Sequence, residues 1–374
     1  MANFIVPQEI ITGLGSLSEL PKVVERLSVT RATLVVGRSW AQESGYAQKV
    51  VDMLQEIGVL THIFSGVPAE PGCQIIDELR QAIRMHNSEV VIGMGGGSVM
   101  DAAKAGAILI NSKEPTTYHL QTQKLPEYAL PVIAIATTAG TGSEATPTVV
   151  LIDEATRVKQ SFRSFNIMPV AAIVDPELMV MNSQKITAMS GMDAFVQAVE
   201  AFCSKFANNL SDALTEKAIS LIAQNLTKAW HDGSNLSARQ AVAEGSLMAG
   251  MALANVRLGA VHGLAHPIGG KYDIPHGLTC AVLLPVVLEF NKSALYADSE
   301  DKYSRLCNIL MADPVDFSRQ LLKEMNLPMD FREYKIPHDD VRSLAEQSLN
   351  SGSTKANPRK CSLEDMMQMI EQVI

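Results

Sequence analysis

The chain has little that would send it to an oxidising compartment, a membrane or a nucleic acid. Its five cysteines, Cys73, Cys203, Cys280, Cys307 and Cys361, are scattered, odd in number and form no CxxC pair. A disulfide framework does not fit that pattern, and a reducing, cytoplasmic location is expected. Basic excess is missing too. Lys and Arg number 31 against 40 Asp and Glu, a net charge of −9, which disfavours nucleic acid or an anionic membrane as partner. A small anionic substrate stays open, because local charge can oppose the net sign. Apolar runs such as ALPVIAIA and AVLLPVVL fall short of the roughly 20 residues a bilayer span needs, and read as buried strands or helices. The opening MANFIVPQEIITGLG lacks the basic start and long apolar core of a signal peptide. There is no internal repeat and no low-complexity segment. The only linker-like stretch, SLNSGSTKANPRK at 348–360, reads as a surface loop before the last helix.

What is present is a two-domain composition. A chain of 374 residues, 47% hydrophobic and 19% charged, exceeds one ordinary core. In its first half, β-rich runs (ATLVVG 32–37, THIFSGV 61–67, EVVIGMGG 89–96, PVIAIATT 131–138, AAIVD 171–175) alternate with helical patterns at 44–58, 73–87 and 98–111. Apolar strands alternating with amphipathic helices predict an α/β domain with a parallel sheet. The last strand pattern ends at Asp175-Pro176, and beyond about residue 180 helical spacing dominates. The expected domains are 1–180, an α/β unit, and 181–374, an all-α unit.

Two glycine-rich loops carry the first chemistry. GMGGGSVMD (93–101) lies between a strand pattern and a helix pattern. Glycines there allow a tight turn and close backbone approach, and the helix N-terminus offers N–H groups to an anion such as a pyrophosphate. Gly96, Gly97 and Ser98 are the foremost contacts. No GxGxxG fingerprint opens the chain, so an ordinary Rossmann reading is weak. TTAGTGSEAT (137–146) follows the strand PVIAIA and offers hydroxyls and backbone N–H groups at the strand-end edge where open α/β sheets bind ligands. Two such loops favour a dinucleotide cleft over plain turns.

The second chemistry is a crowd of histidines. HGLAHPIGGKYDIPH, 262–276, holds three of the chain's eight. His262 and His266 are four apart and share a helical face. Position 263 is Gly, so the general base of an HExxH site is missing. The segment between them and His276 must turn, and Pro275 can open the next helix. A metal with imidazole ligands needs a further donor. Asp193, set among apolar residues in GMDAFVQAVEAF (191–202), is the best supplier.

Taken together, these segments resemble the iron-type (group III) alcohol dehydrogenases over nearly the whole chain. GGGSVMDAAKA is similar to that family's pyrophosphate loop and TTAGTGSEAT to its nicotinamide-side loop. AIVDPEL is similar to its domain join, GMDAFVQAVEAF to its GMDAxxHAxE helix, and VHGLAHPIGGKYDIPHG to its HxxxH and PHG signature; NPR at 357–359 resembles a segment near the family's C-terminus. The resemblance implies a dehydroquinate-synthase-like fold, a homo-oligomer (dimer or larger), and hydride transfer between NAD(H) or NADP(H) and a small primary alcohol/aldehyde pair. It implies cofactor contacts at Gly95, Gly96, Gly97, Ser98 and Asp101, at Thr137, Thr138, Thr141 and Ser143, and at Lys159. Of the family's Asp and three His ligands, Asp193, His262 and His276 match; His266 matches the proton-relaying histidine. The remaining ligand position is Gln197, whose neutral carbonyl oxygen is a weaker donor than imidazole. Both Zn²⁺ and Fe²⁺ therefore stay open as the one divalent ion. Gly37, Arg38 and Ser39 stand where the family reads the cofactor ribose; Arg38 suits a 2′-phosphate, or is simply a surface arginine, so NAD and NADP both stay open.

Arg257 and Arg163 are the candidates for holding an anionic aldehyde, against the plainer reading of each as a salt-bridged or exposed arginine. The alternatives are a maleylacetate-reductase-like enzyme, against which the intact Asp193, His262 and His276 argue, and a dehydroquinate-synthase-like lyase, whose richer lysine and arginine set is not evident. A non-catalytic binding module is the third, disfavoured by the phosphate loop and His266.

Overall fold

In the computed structural model, which describes residues 4–38, 40–154 and 158–374, the chain divides into two compact units. One comprises Ile5–Thr138 and Gly142–Met181; the other comprises Asn182–Ile374 with Ala139–Thr141.

The first unit is built on a sheet of six parallel strands: β1 (Glu9–Thr12), β2 (Arg31–Gly37), β3 (Leu60–Val67), β4 (Val90–Gly95), β5 (Val132–Ala136) and β8 (Ala171–Val174), in the spatial order β1-β8-β5-β4-β2-β3. Strands β4, β5 and β8 are buried at every position. A parallel sheet covered on both faces needs consecutive apolar residues rather than alternate ones. Val35, Val91 and Val132 feed one core with Ile76, Leu79 and Ile83, whereas Leu34, Val36, Ile92 and Ile135 feed the other with Val24, Val50 and Leu54. Two features escape the sequence pattern. Strand β1 adds a short edge beside β8, and β6 (Thr148–Asp153) with β7 (Val158–Arg163) forms a separate antiparallel hairpin. The helix Gly97–Ile108 packs so closely on β4 that a Cβ on Gly95 would lie 2.6 Å from Val99 Cβ, and one on Gly93 2.8 Å from Ala103 Cβ.

The second unit is helical. Five long helices, Gln184–Cys203, Asn209–His231, Leu236–Val256, Ala260–Tyr272 and His276–Tyr296, share one core with shorter C-terminal helices. From Gly191 to Cys203 the first of them is buried on every side, as a central helix must be. Among the described residues one helix, His276–Tyr296, is long and apolar enough to cross a membrane, but 67% of its apolar stretch is buried inside the fold; it is a core helix.

The segment 348–360 corrects the reading of a surface loop. Ser348, Thr354, Ala356 and Asn357 are buried. Asn357 Oδ1 accepts from Ala260 N at 3.1 Å, and its amide donates to Asn291 Oδ1 at 2.7 Å. The polar residues that mimic a loop are there to satisfy a helix N-terminus from outside.

Candidate metal centre and cofactor edge

In the sheet unit, Gly37, Gly95 and Thr137 fall at the C-terminal ends of β2, β4 and β5, which are adjacent strands with Val36 opposite Met94 and Gly95 opposite Ala136. The chain leaves β2 for β3 on one side and returns to β4 on the other. That reversal is the switch point at which open α/β sheets bind ligands. Gly96 is extended, caps the helix Gly97–Ile108 without any side-chain hydrogen bond, and faces Thr138 Oγ1 at 3.3 Å from its Cβ position. Gly95, Gly96, Gly97, Ser98, Thr137 and Thr138 thus gather at one helix N-terminus, a natural anion cradle. Arg38 is exposed and donates from Nε to Gly66 O at 3.2 Å. Ser39 lies outside the described residues. Lys159, on the hairpin, is ion-paired with Glu70, and Thr141 is grouped with the helical unit.

Asp101 and Ser143 are drawn into a buried clamp. Lys104 is 0% exposed and donates to Ser143 Oγ at 2.7 Å, Ser143 O at 3.1 Å and Thr148 O at 2.6 Å, with Asp101 Oδ1 at 2.9 Å. Ser143 Oγ donates to Asp101 Oδ1 at 2.6 Å, and Asp101 Oδ2 accepts from Val150 N at 2.9 Å. Their polar atoms bind one another, so they shape the second loop.

In the helical unit, three helices each present residues four apart: Asp193 and Gln197, His262 and His266, His276 and Cys280. Pro275 is the N-cap of the last helix, at the turn. Gly277 lets that helix approach, since a Cβ there would lie 2.1 Å from Met189 O. Gly263, where an HExxH site would carry its glutamate, has Thr354 Oγ1 1.9 Å from its Cβ position, so a side chain there would have to displace Thr354. Asp193 Oδ1 lies 3.5 Å from His262 Nε2 and 3.7 Å from His276 Nε2. The ligand atoms of Asp193, His262, His276 and Cys280 all lie within 4.8 Å of one another. The His266 ring stacks on His276 at 5.3 Å between centroids.

The electrostatics have one peculiarity. Asp193, Gln197 and His262 are 4%, 4% and 3% exposed, yet Asp193 Oδ1, Gln197 Oε1 and His262 Nε2 have no hydrogen-bond partner. Buried polar atoms are almost always satisfied; orphans on Asp193 and His262, 3.5 Å apart, with a third on Gln197 one helical turn from Asp193, fit a divalent cation. Burial opposes the ionised form of Asp193, but His262, His276 and the Gln197 amide outweigh it and hold its pKa below the ordinary value. Burial likewise opposes a charged His262, and Cys280, Asp193 and Glu200 outweigh it, raising its pKa.

Sequence reasoning missed two residues here. Glu200 takes the His262 Nδ1 proton-bearing side at 2.6 Å and accepts from Val261 N at 2.7 Å and His262 N at 3.3 Å. It fixes the ring with Nε2 toward the cluster, as outer partners of metal-ligating histidines do. Its signal was spacing: it is seven residues, two turns, beyond Asp193 on a buried helix. Cys280 carried a similar signal, four residues after His276.

Comparison with known proteins agrees across both units. A family described as iron-containing alcohol dehydrogenase matches residues 7–176, and the C-terminal part of the Fe-containing alcohol dehydrogenase family matches residues 187–374. The chain is 31% identical to the NAD-dependent methanol dehydrogenase of Bacillus methanolicus, with 100% of each covered. It is 32% identical to the NADPH-dependent butanol dehydrogenase of Clostridium saccharobutylicum, covering 100% of this chain and 98% of that one. Among solved structures, a 1,3-propanediol oxidoreductase is similar with a TM-score of 0.94, 32% identity and 100% of both chains covered. Sulfoacetaldehyde reductase of Bifidobacterium kashiwanohense, in complex with NAD⁺, is similar with a TM-score of 0.92 and 27% identity, covering 100% of this chain and 98% of that one.

Proposed function

The chain belongs to the iron-containing alcohol dehydrogenase family, and on that premise we propose that it interconverts a small primary alcohol and its aldehyde at a metal site made by Asp193, His262 and His276. It is an NAD(P)-dependent alcohol dehydrogenase of dehydroquinate-synthase-like fold, with a nicotinamide cofactor and one divalent metal ion. The observation that carries the site is the set of partnerless buried atoms, Asp193 Oδ1, His262 Nε2 and Gln197 Oε1.

An ion held by Asp193, His262 and His276 would supply Lewis acidity toward the substrate oxygen, and a nicotinamide cofactor would supply the hydride chemistry. The chain's own residues do the rest. Asp193 brings a carboxylate whose ionised form is already favoured. Glu200 holds His262 in the tautomer that leaves Nε2 free to ligate. His266, partly exposed and stacked on His276, moves the hydroxyl proton between site and solvent. The backbone N–H groups of Gly96, Gly97 and Ser98 receive the pyrophosphate, with Gly95 and the threonines Thr137 and Thr138 lining the edge; Gly37 and Arg38 mark the ribose end.

The substrate is a short aliphatic aldehyde in the first reading. An anionic aldehyde is the second, favoured by the likeness to sulfoacetaldehyde reductases and by the exposed Arg257 just before the His262 helix. Arg257 sits over the Phe206 ring at 5.8 Å, and Arg163 over Phe165 at 5.7 Å, which ties each to a local role as well. Oxidation of NADH and NADPH over propanal, butanal and sulfoacetaldehyde tests both readings. Saturable turnover with an aldehyde is expected; none with any member would overturn the assignment. Sulfoacetaldehyde no better than propanal removes the anionic reading.

A further inference from the structure

The metal site as matched to the family is one imidazole short, because Gln197 stands at a histidine position. The structure brings a different donor to the same point. Cys280 is one helical turn beyond His276 on the helix His276–Tyr296, is 0% exposed, and has Sγ 3.6 Å from His276 Nε2. Its Sγ lies within 4.8 Å of Asp193, His262 and His276 ligand atoms alike. The other four cysteines are not part of this cluster. We propose that the Cys280 thiolate is the fourth protein ligand of the metal, in the place that an imidazole from position 197 would otherwise fill. The inference rests on the Asp193, His262 and His276 reading and adds one donor to it.

Three arguments carry it. The geometry offers a sulfur where a fourth ligand is needed, beside an orphaned carboxylate oxygen and an orphaned imidazole nitrogen. Gln197 offers less: its side-chain N–H is directed at the Asp193 carboxylate, which makes it a positioning residue for that ligand, and its partnerless Oε1 is a neutral carbonyl oxygen, a weaker donor than a thiolate. The chemistry is balanced: on ligation the thiol gives its proton to solvent and its sulfur lone pair to the ion. One carboxylate, one thiolate and two neutral imidazoles then cancel a divalent charge. A site of mixed S, N and O donors suits zinc, whereas the imidazole it replaces would leave the harder donor set compatible with iron.

Cobalt replacement reads this without any turnover. The metal-free protein is loaded with one equivalent of Co²⁺, and the near-ultraviolet thiolate-to-cobalt charge-transfer band is recorded for wild type, Cys280→Ser, Cys280→Ala and Gln197→Ala. The wild type is expected to show the band. Both Cys280 variants are expected to bind one cobalt without it, and to hold zinc more weakly by about 10²-fold, at or beyond the outer-shell range. Gln197→Ala is expected to keep the band. Stoichiometric cobalt with no band in the wild type overturns the Cys280 assignment while sparing the three-ligand site, and so does an undiminished band in Cys280→Ser. Loss of cobalt in Gln197→Ala with full affinity in Cys280→Ala gives the position to Gln197 and overturns it too. No cobalt in the wild type overturns both the assignment and the site beneath it.

Discussion

The two units each bury a cluster of polar groups, and the clusters differ in what they lack. Around Lys104 nothing is missing: the ammonium, fully enclosed, meets Asp101, Ser143 and the Thr148 carbonyl, and Asp101 is completed by Val150 N. Around Asp193 the donors and acceptors do not close. An oxygen of Asp193 and a nitrogen of His262 lie 3.5 Å apart, and both, like Gln197 Oε1 one turn along the same helix as Asp193, have no hydrogen-bond partner. A closed buried network fixes a shape, here the loop Gly142–Thr146 against the helix Gly97–Ile108. An open one reserves space for something that the chain does not supply. The same residue types, carboxylates and cations in a dry interior, thus serve opposite ends, and counting satisfied atoms separates them.

The sharpest way to break that comparison is to remove one member of each cluster. Lys104→Met leaves Asp101 buried and unpaired and is expected to cost about 3–5 kcal/mol of stability by urea unfolding, while zinc bound per folded molecule stays unchanged. Asp193→Asn in metal-free protein is expected to cost less, under about 2 kcal/mol, since the attraction of the carboxylate to His262 and His276 is lost but Glu200 still faces His262 and no charge is left alone in the interior. Equal losses in the two variants would mean that both clusters are structural.

A second test uses pH. Glu144, beside Ser143 and fully buried, has its carboxyl pushed up to about 7 by burial, with Lys104 pulling the other way. Between its ordinary 4.5 and about 7 the folded state holds more protons than the unfolded one. Stability conferred by this group therefore falls as pH rises through that window. Glu144→Gln is expected to flatten the curve, gaining up to about 3 kcal/mol on the wild type by pH 7 and no more above it. Parallel curves for wild type and variant would show that Glu144 is ionised normally. The smallest effect expected belongs to the outer rim of the open cluster. Glu200→Gln weakens the hold on His262 and is expected to lower zinc affinity by about 10–100-fold in a competition titration; unchanged affinity would deny Glu200 its orienting role.

The sequence carried much of this and hid the rest for identifiable reasons. The inner parallel strands β4, β5 and β8 were legible because wholly buried strands read as continuous apolar runs, and the His262 and His266 pair because four residues make about one helical turn. The hairpin of β6 and β7 was not, and with it went the clamp, since Thr148 O reaches Lys104 and Val150 N reaches Asp101 only once that hairpin is formed. Asn357 was misread because a cap that serves a distant helix looks, in sequence, like a loop residue. Cys280 stood one turn after His276, but a single thiol amid a helix of apolar residues has no pattern of its own. Only the spatial meeting with Asp193 and His262 gives it a meaning.

The central assignment is that the open cluster of the helical unit holds the ion on which turnover depends. Metal content and NAD(P)H oxidation measured on the same preparations of wild type, chelator-stripped wild type and His262→Ala test it directly. One divalent ion per chain with turnover in the wild type, and neither in the other two, is the expected result. Full turnover in the stripped wild type, or one tightly held ion in His262→Ala, would contradict it.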